Sequence, residues 1–152
     1  AQSVEQELTI TVTDLNEPPA GVTLTPATVA ENEPAALLVG TLAAQGDHDQ
    51  PPQFFTYSLV AGSGDTHNAW FSITGNQLFV TVPLNFEITP VLSIRVQATD
   101  SGSPAAFVQQ VLQVTVTDVN DRPALAVPAS PLFRTAGRNV SFTVQGVDED
   151  QP

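Results

Sequence analysis

The stretch Thr115-Val116-Thr117-Asp118-Val119-Asn120-Asp121-Arg122-Pro123 has a near copy at Thr11-Val12-Thr13-Asp14-Leu15-Asn16-Glu17-Pro18-Pro19, 104 residues earlier. The likeness runs upstream: Val4, Gln6, Leu8, Ile10 and Val12 align with Val108, Gln110, Leu112, Val114 and Val116. A period near 100 is too long for a solenoid unit and matches a whole bead-like domain. A shorter echo links Asp47-His48-Asp49-Gln50-Pro51 to Asp148-Glu149-Asp150-Gln151-Pro152. The chain therefore divides into three. Residues 1–17 are expected to be the last strand and linker of a preceding repeat, 18–121 a complete repeat, and 122–152 the first strands of a following one. That third opening has no counterpart of Glu31-Asn32-Glu33, which marks it as divergent.

The hydrophobic period is two rather than 3.6. Leu8–Val12, Leu92–Ala98, Leu112–Val116 and Val140–Val144 alternate apolar and polar residues, the pattern of strands with one face in a core and one in water. Phe71–Ile73 and Leu78–Val80 flank Thr74-Gly75-Asn76-Gln77, a hairpin signal. Thirteen prolines and nine glycines punctuate these runs, and no stretch makes a good amphipathic helix. The expected class is all-β, a sandwich.

Sixteen acidic residues against four arginines, with no lysine, give 152 residues a net charge of −12. That balance repels nucleic acid and anionic membrane surfaces. Cysteine is absent, so disulfides and thiol chemistry are excluded. No apolar run is long enough to span a bilayer, and no signal peptide opens the chain, which begins within a strand-like pattern as an excised segment would.

The acids are concentrated. All but Glu5, Glu7 and Asp65 fall at expected strand ends or in linkers, while Thr, Ser and Gln occupy the solvent-facing strand positions. Carboxylates about 4 Å apart repel by about 4 kcal/mol at an effective dielectric near 20. A hard divalent cation is the natural counterion. Ca²⁺ accepts six to eight oxygens in tolerant geometry, whereas Mg²⁺ demands near-ideal octahedra. The lack of cysteine and the presence of only two histidines argue against zinc.

Six short motifs, in order, resemble those of a cadherin repeat. They are Glu31-Asn32-Glu33, Asp47-His48-Asp49, Phe71-Ser72-Ile73, Leu84-Asn85-Phe86-Glu87, Ala98-Thr99-Asp100-Ser101-Gly102 and Asp118–Pro123. The resemblance implies a cadherin-type Greek-key β-sandwich with partial flanking modules, and up to three Ca²⁺ ions at each inter-repeat linker. Carried over by position, Glu31, Glu87, Asp118, Asp121, the Val119 carbonyl and Asp150 would hold two ions at the second linker. Asn85 stands where the family has an aspartate. Asn120, the Arg122 carbonyl, Asp148 and Asp150 resemble a third site. At the first linker, Asn16, the Pro18 carbonyl, Asp47, Asp49 and Asp100 form the matching set, with Glu17 in place of an aspartate. The linker spelling, the Thr/Val/Ala richness and the absence of lysine look more like bacterial cadherin-like repeats than animal ones.

The resemblance implies a non-enzymatic structural and adhesive module of a cell-surface or secreted protein. Its partners would be neighbouring repeats, and a homophilic or heterophilic surface protein or a polysaccharide. His48 reads as a solvent-facing spacer, and Trp70 and Tyr57 as packing residues. The alternative is a carbohydrate-binding module of a bacterial extracellular enzyme or adhesin, with Trp70 as the sugar platform. Hydrolase readings are weak. Asp100-Ser101-Gly102 occurs once where an aspartic protease needs two such carboxylates. Glu31 with Glu87 as a glycosidase pair would sit in loops already assigned to a linker.

Overall fold

The computed structural model describes residues 2–49, 52–126 and 145–148. Eight strands build the sandwich: β1 (Gly21–Thr25), β2 (Thr28–Ala30), β3 (Leu37–Gln45), β4 (Thr56–Leu59), β5 (Phe71–Thr74), β6 (Gln77–Val80), β7 (Val91–Thr99) and β8 (Phe107–Thr117). They form two four-stranded sheets, in the orders β1-β3-β6-β5 and β2-β8-β7-β4. A separate antiparallel pair, β9 (Ala124–Ala126) with β10 (Gln145–Val147), follows the second linker. The one helical element among the described residues is a 3-10 turn at Asn68–Trp70. The all-β sandwich expected from period-two alternation is the observed fold.

Alternation places the core between the sheets. Along β7, Leu92, Ile94, Val96 and Ala98 are fully buried while their neighbours face outward. Val114 and Val116 of β8, Val22 of β1, Leu42 of β3 and Leu78 of β6 meet them. Each such aliphatic side chain contributes about 1.5–3 kcal/mol by leaving water. The expected hairpin is present: β5 and β6 pair in register around Gly75–Asn76. Gly75 takes φ +60°, a conformation open to glycine at little cost.

The chain changes sheets between β1 and β2. β1 pairs antiparallel with β3, whereas β2 runs parallel to β8 through Thr28↔Thr115, Val29↔Val116 and Ala30↔Thr117. This crossing at Pro26-Ala27 carries β2 to the rim where β8 ends. It therefore sets Glu31, the next residue, beside Asp118, which follows β8.

One expected strand differs. Leu8–Val12 makes no ladder with any described residue, and its apolar side chains are exposed, Ile10 by 87%. Its counterpart Leu112–Val116 is a strand because β7 and β2 flank it. Alternation specifies which face would be buried; only a partner strand satisfies the backbone. Val140–Val144 lies outside the described residues.

Candidate metal centres

At the end of the sandwich facing the second linker, Glu31, Glu87 and Asp118 each bring a carboxylate oxygen within 4.8 Å of the others. Glu31 is the anchor, only 1% exposed. One of its oxygens accepts a hydrogen bond from the Phe86 N–H at 2.7 Å, the other from the Val119 N–H at 2.8 Å. A buried carboxylate needs such donors, because desolvation without them costs several kcal/mol. The two bonds tie the loop carrying Glu87 and the linker to the strand end carrying Glu31. Glu87 and Asp118 themselves are exposed.

Asp121 lies outside that trio. Its side chain accepts from the Asn32 amide at 2.7 Å, and Asn32 takes the left-handed conformation, φ +60°. Asn120 donates to the Asp121 carbonyl at 2.8 Å. Asn85 turns its side-chain oxygen to the Ile88 N–H at 2.8 Å, within its own turn. Asn85, Asn32, Asp121 and Arg122 line a cavity of about 500 Å³ that extends to Val147, beside the half-buried Asp148. Arg122 and Val119 are exposed, and Asp150 lies outside the described residues.

At the opposite end, Asp14, Glu17 and Asp49 bring carboxylate oxygens within 4.8 Å of one another. Asp49 is buried and receives the Glu17 N–H on both oxygens at 3.3 Å. Its own N–H donates to Asp47 at 3.0 Å, and the other Asp47 oxygen is buried with no hydrogen-bond partner. Asp100, also buried, accepts from the Gly102 and Ala106 N–H groups at 3.0 and 2.9 Å. Asn16 donates to the other Asp100 oxygen at 3.2 Å and to the Pro104 carbonyl at 3.0 Å. Pro18 is exposed beside the buried Pro19.

This end crowds like charges. A side-chain hydrogen bond with Asp49 raises the Glu17 pKa above the ordinary carboxylate value, and some desolvation adds to it. The negative charges of Asp49, Asp14 and Asp47 act in the same direction.

The structure thus brings Glu31, Glu87 and Asp118 together at one end, and Asn16, Asp47, Asp49 and Asp100 into one bonded network at the other. Asp121 bonds to Asn32, and Asn85 to the Ile88 N–H. Asp14 was missed by position matching, although it is the repeat counterpart of Asp118. Gln53 was also missed: its amide donates to Asn16 Oδ1 and, at 2.7 Å, to Asp49 Oδ2. It lies in the irregular stretch between β3 and β4. His48 is exposed, whereas Trp70 packs on the core and stands edge-on to His67 with ring centroids 5.0 Å apart.

Both trios suit a hard cation. Two oxygens on opposite sides of Ca²⁺, each bonded at 2.3–2.6 Å, lie at most about 5 Å apart. Carboxylate oxygens this close can reach one shared ion. The unpartnered buried Asp47 oxygen is a further atom suited to a cation.

A two-sheet sandwich with carboxylates gathered at both ends fits a cadherin domain, an extracellular adhesion module rather than an enzyme. The family profile described as "Cadherin domain" matches residues 25–117, and the chain belongs to the cadherin family. It is 33% identical to human protocadherin Fat 4 over 154 residues, and 37% identical to mouse protocadherin Fat 2 over 120. These alignments cover 97% and 76% of this chain and 3% of each relative. The chain thus spans a small part of the curated relatives it matches. Extracellular cadherin domains 3–6 of protocadherin gamma B2 superpose with a TM-score of 0.57 at 22% identity, covering 86% of this chain and 36% of that one. Repeats EC22–24 of mouse cadherin-23 give 0.56 at 18%, covering 86% and 45%. These structures share the fold. The family places the domain outside the cell or at its surface. Among the described residues no helix is long and apolar enough to cross a membrane.

Proposed function

We propose that this segment is a calcium-stiffened spacer in a longer adhesion protein, with residues 18–121 as one complete repeat between the end of one neighbour (1–17) and the beginning of another (122–152). The observation that carries the reading is the gathering of three carboxylates at each end of the sandwich, every trio combining linker and module residues. Glu31, Glu87, Asp118, Asp121 and the Val119 carbonyl would serve the second linker. Asn120, the Arg122 carbonyl, Asp148 and Asp150 would add ligands from and toward the next repeat. Asn16, the Pro18 carbonyl, Asp47, Asp49 and Asp100 would serve the first, joined by Asp14 and Glu17.

Bound calcium supplies positive charge to carboxylates that otherwise repel. Glu31, held by two backbone donors, fixes where that charge must sit. Asp118 and Asp14 belong to the linkers, so their engagement restrains the angle between repeats. Extracellular modules hold Ca²⁺ with Kd on the order of 10⁻⁴–10⁻³ M, which suits occupancy outside cells. Homophilic or heterophilic adhesion by the parent protein is part of the proposal. Its bacterial-type character, suggested by composition, is a separate proposal about its source; the curated relatives named above are mammalian.

Calcium titration by calorimetry tests the reading, with small-angle scattering recording linker stiffness. Millimolar or tighter binding, weakened by Asp118→Asn and accompanied by stiffening, is expected. Binding that is absent, or indifferent to Asp118, Asp14 and Asp49, overturns it.

A further inference from the structure

Gln53 bridges linker and module at the first junction by two hydrogen bonds. Its NH₂ group donates to Asn16 Oδ1, in the linker, and to Asp49 Oδ2, in the module. Its oxygen is buried with no hydrogen-bond partner. The orientation follows from chemistry: two oxygens face the amide, so the nitrogen must face them. Asn16 is in turn clamped, with its own NH₂ on Asp100 and Pro104. It also lies so close over Gly102 that a Cβ there would fall 1.5 Å from Asn16 Oδ1. The amide hydrogens of Gln53 carry partial positive charge to the oxygens that the proposed function gives to the cation.

We propose that Gln53 is a cation-independent clasp that keeps the first linker docked on the sandwich and competes with Ca²⁺ for Asn16 and Asp49. This rests on the calcium reading for its second half only; the docking half stands on the hydrogen bonds. Gln53 is a positioning residue. Without it, Asn16 and Asp49 lose two donors, the linker loosens when no cation is present, and both oxygens become free for the ion. The expected effect on either equilibrium is about three- to tenfold, that of one net hydrogen bond, because the two bonds share a single amide group and do not add in full.

The test uses the full chain with Gln53→Ala and Gln53→Glu. The second keeps the side-chain length, removes the donors and adds a carboxylate. Amide hydrogen exchange at Glu17 in EDTA reads linker docking; exchange in β7 confirms that the sandwich is intact. Calcium titration reads affinity at the first junction, with Asp118→Asn in the background to silence the second. Both variants should speed Glu17 exchange about three- to tenfold and tighten Ca²⁺ binding, Gln53→Glu more than Gln53→Ala. Unchanged Glu17 exchange overturns the clasp. Weaker Ca²⁺ binding in Gln53→Ala overturns the competition and makes Gln53 a ligand through its oxygen. If unsubstituted chain binds no Ca²⁺, the calcium reading fails by itself, while the exchange result still decides the clasp.

Discussion

The two ends of the sandwich hold similar trios of acids by different means. Toward the second linker, the charge is organised by the backbone. Glu31 is buried at the end of β2, and two main-chain N–H groups from separate segments converge on it. Toward the first linker, main-chain N–H groups serve Asp49 and Asp100 too, but a layer of side-chain bonds is added: Asn16 with Asp100, and Gln53 with Asp49 and Asn16. A site framed by strand ends is rigid before any cation arrives. A site made of mutually bonded loop side chains has internal partners that an ion must displace. The first is expected to be the more preorganised, the second the more sensitive to pH and to single contacts.

The largest effect should come from Glu31→Ala. It leaves the Phe86 and Val119 N–H groups without their acceptor. At about 1.5–3 kcal/mol for each hydrogen bond to a charged group, partly offset by relief of the repulsion from Glu87 and Asp118, urea denaturation in EDTA should show a loss of about 3 kcal/mol. A loss under 1 kcal/mol would make the two ends alike and break the contrast. Next is Gly102→Ala. The new Cβ cannot coexist with Asn16 in place, so Asn16 must leave. Overpacking of this kind costs about 1–3 kcal/mol, and fast Glu17 exchange should accompany it with second-linker calcium binding unchanged.

Asp118→Asn sharpens the comparison by removing charge from an exposed position. Stability in EDTA should change by less than about 0.5 kcal/mol, while calcium affinity at the second linker falls by about tenfold in calorimetry. The smallest effect concerns Glu17. A carboxyl whose folded pKa lies above its unfolded value binds its proton more tightly in the folded protein. That contribution is complete below the ordinary value of 4.5 and is lost as the pH rises through the folded pKa. In EDTA, docking of the first linker should therefore weaken as the pH climbs from 4.5, and Glu17→Gln should flatten the profile. Bound calcium, which favours the ionised carboxyl, should reverse the trend. Glu17 exchange followed against pH measures both.

Much of this was legible from the chain. The alternation in Leu92–Ala98 and Leu112–Val116 set the central strands β7 and β8, and Gly75-Asn76 marked the hairpin. The acids at strand ends marked the two carboxylate clusters, because an acid at such a place is neither core nor ordinary strand surface. The failures share a cause. Leu8–Val12 has the same pattern as Leu112–Val116, but pairing is non-local and no alternation supplies a partner. Asp14 was readable from the repeat. Gln53 was not, since a lone glutamine in an irregular segment signals nothing until the chain folds it onto Asn16.

The parallel pairing of β2 with β8 also decides how the repeat carries mechanical load. Tension drawn through the two linkers pulls β2 back toward its start and β8 onward past its end, in opposite directions along one shared axis. The bonds joining Thr28–Ala30 to Thr115–Thr117 are then strained together instead of peeling one by one. Glu31, gripping Val119 just beyond, adds a last fastening at the point where the pull enters.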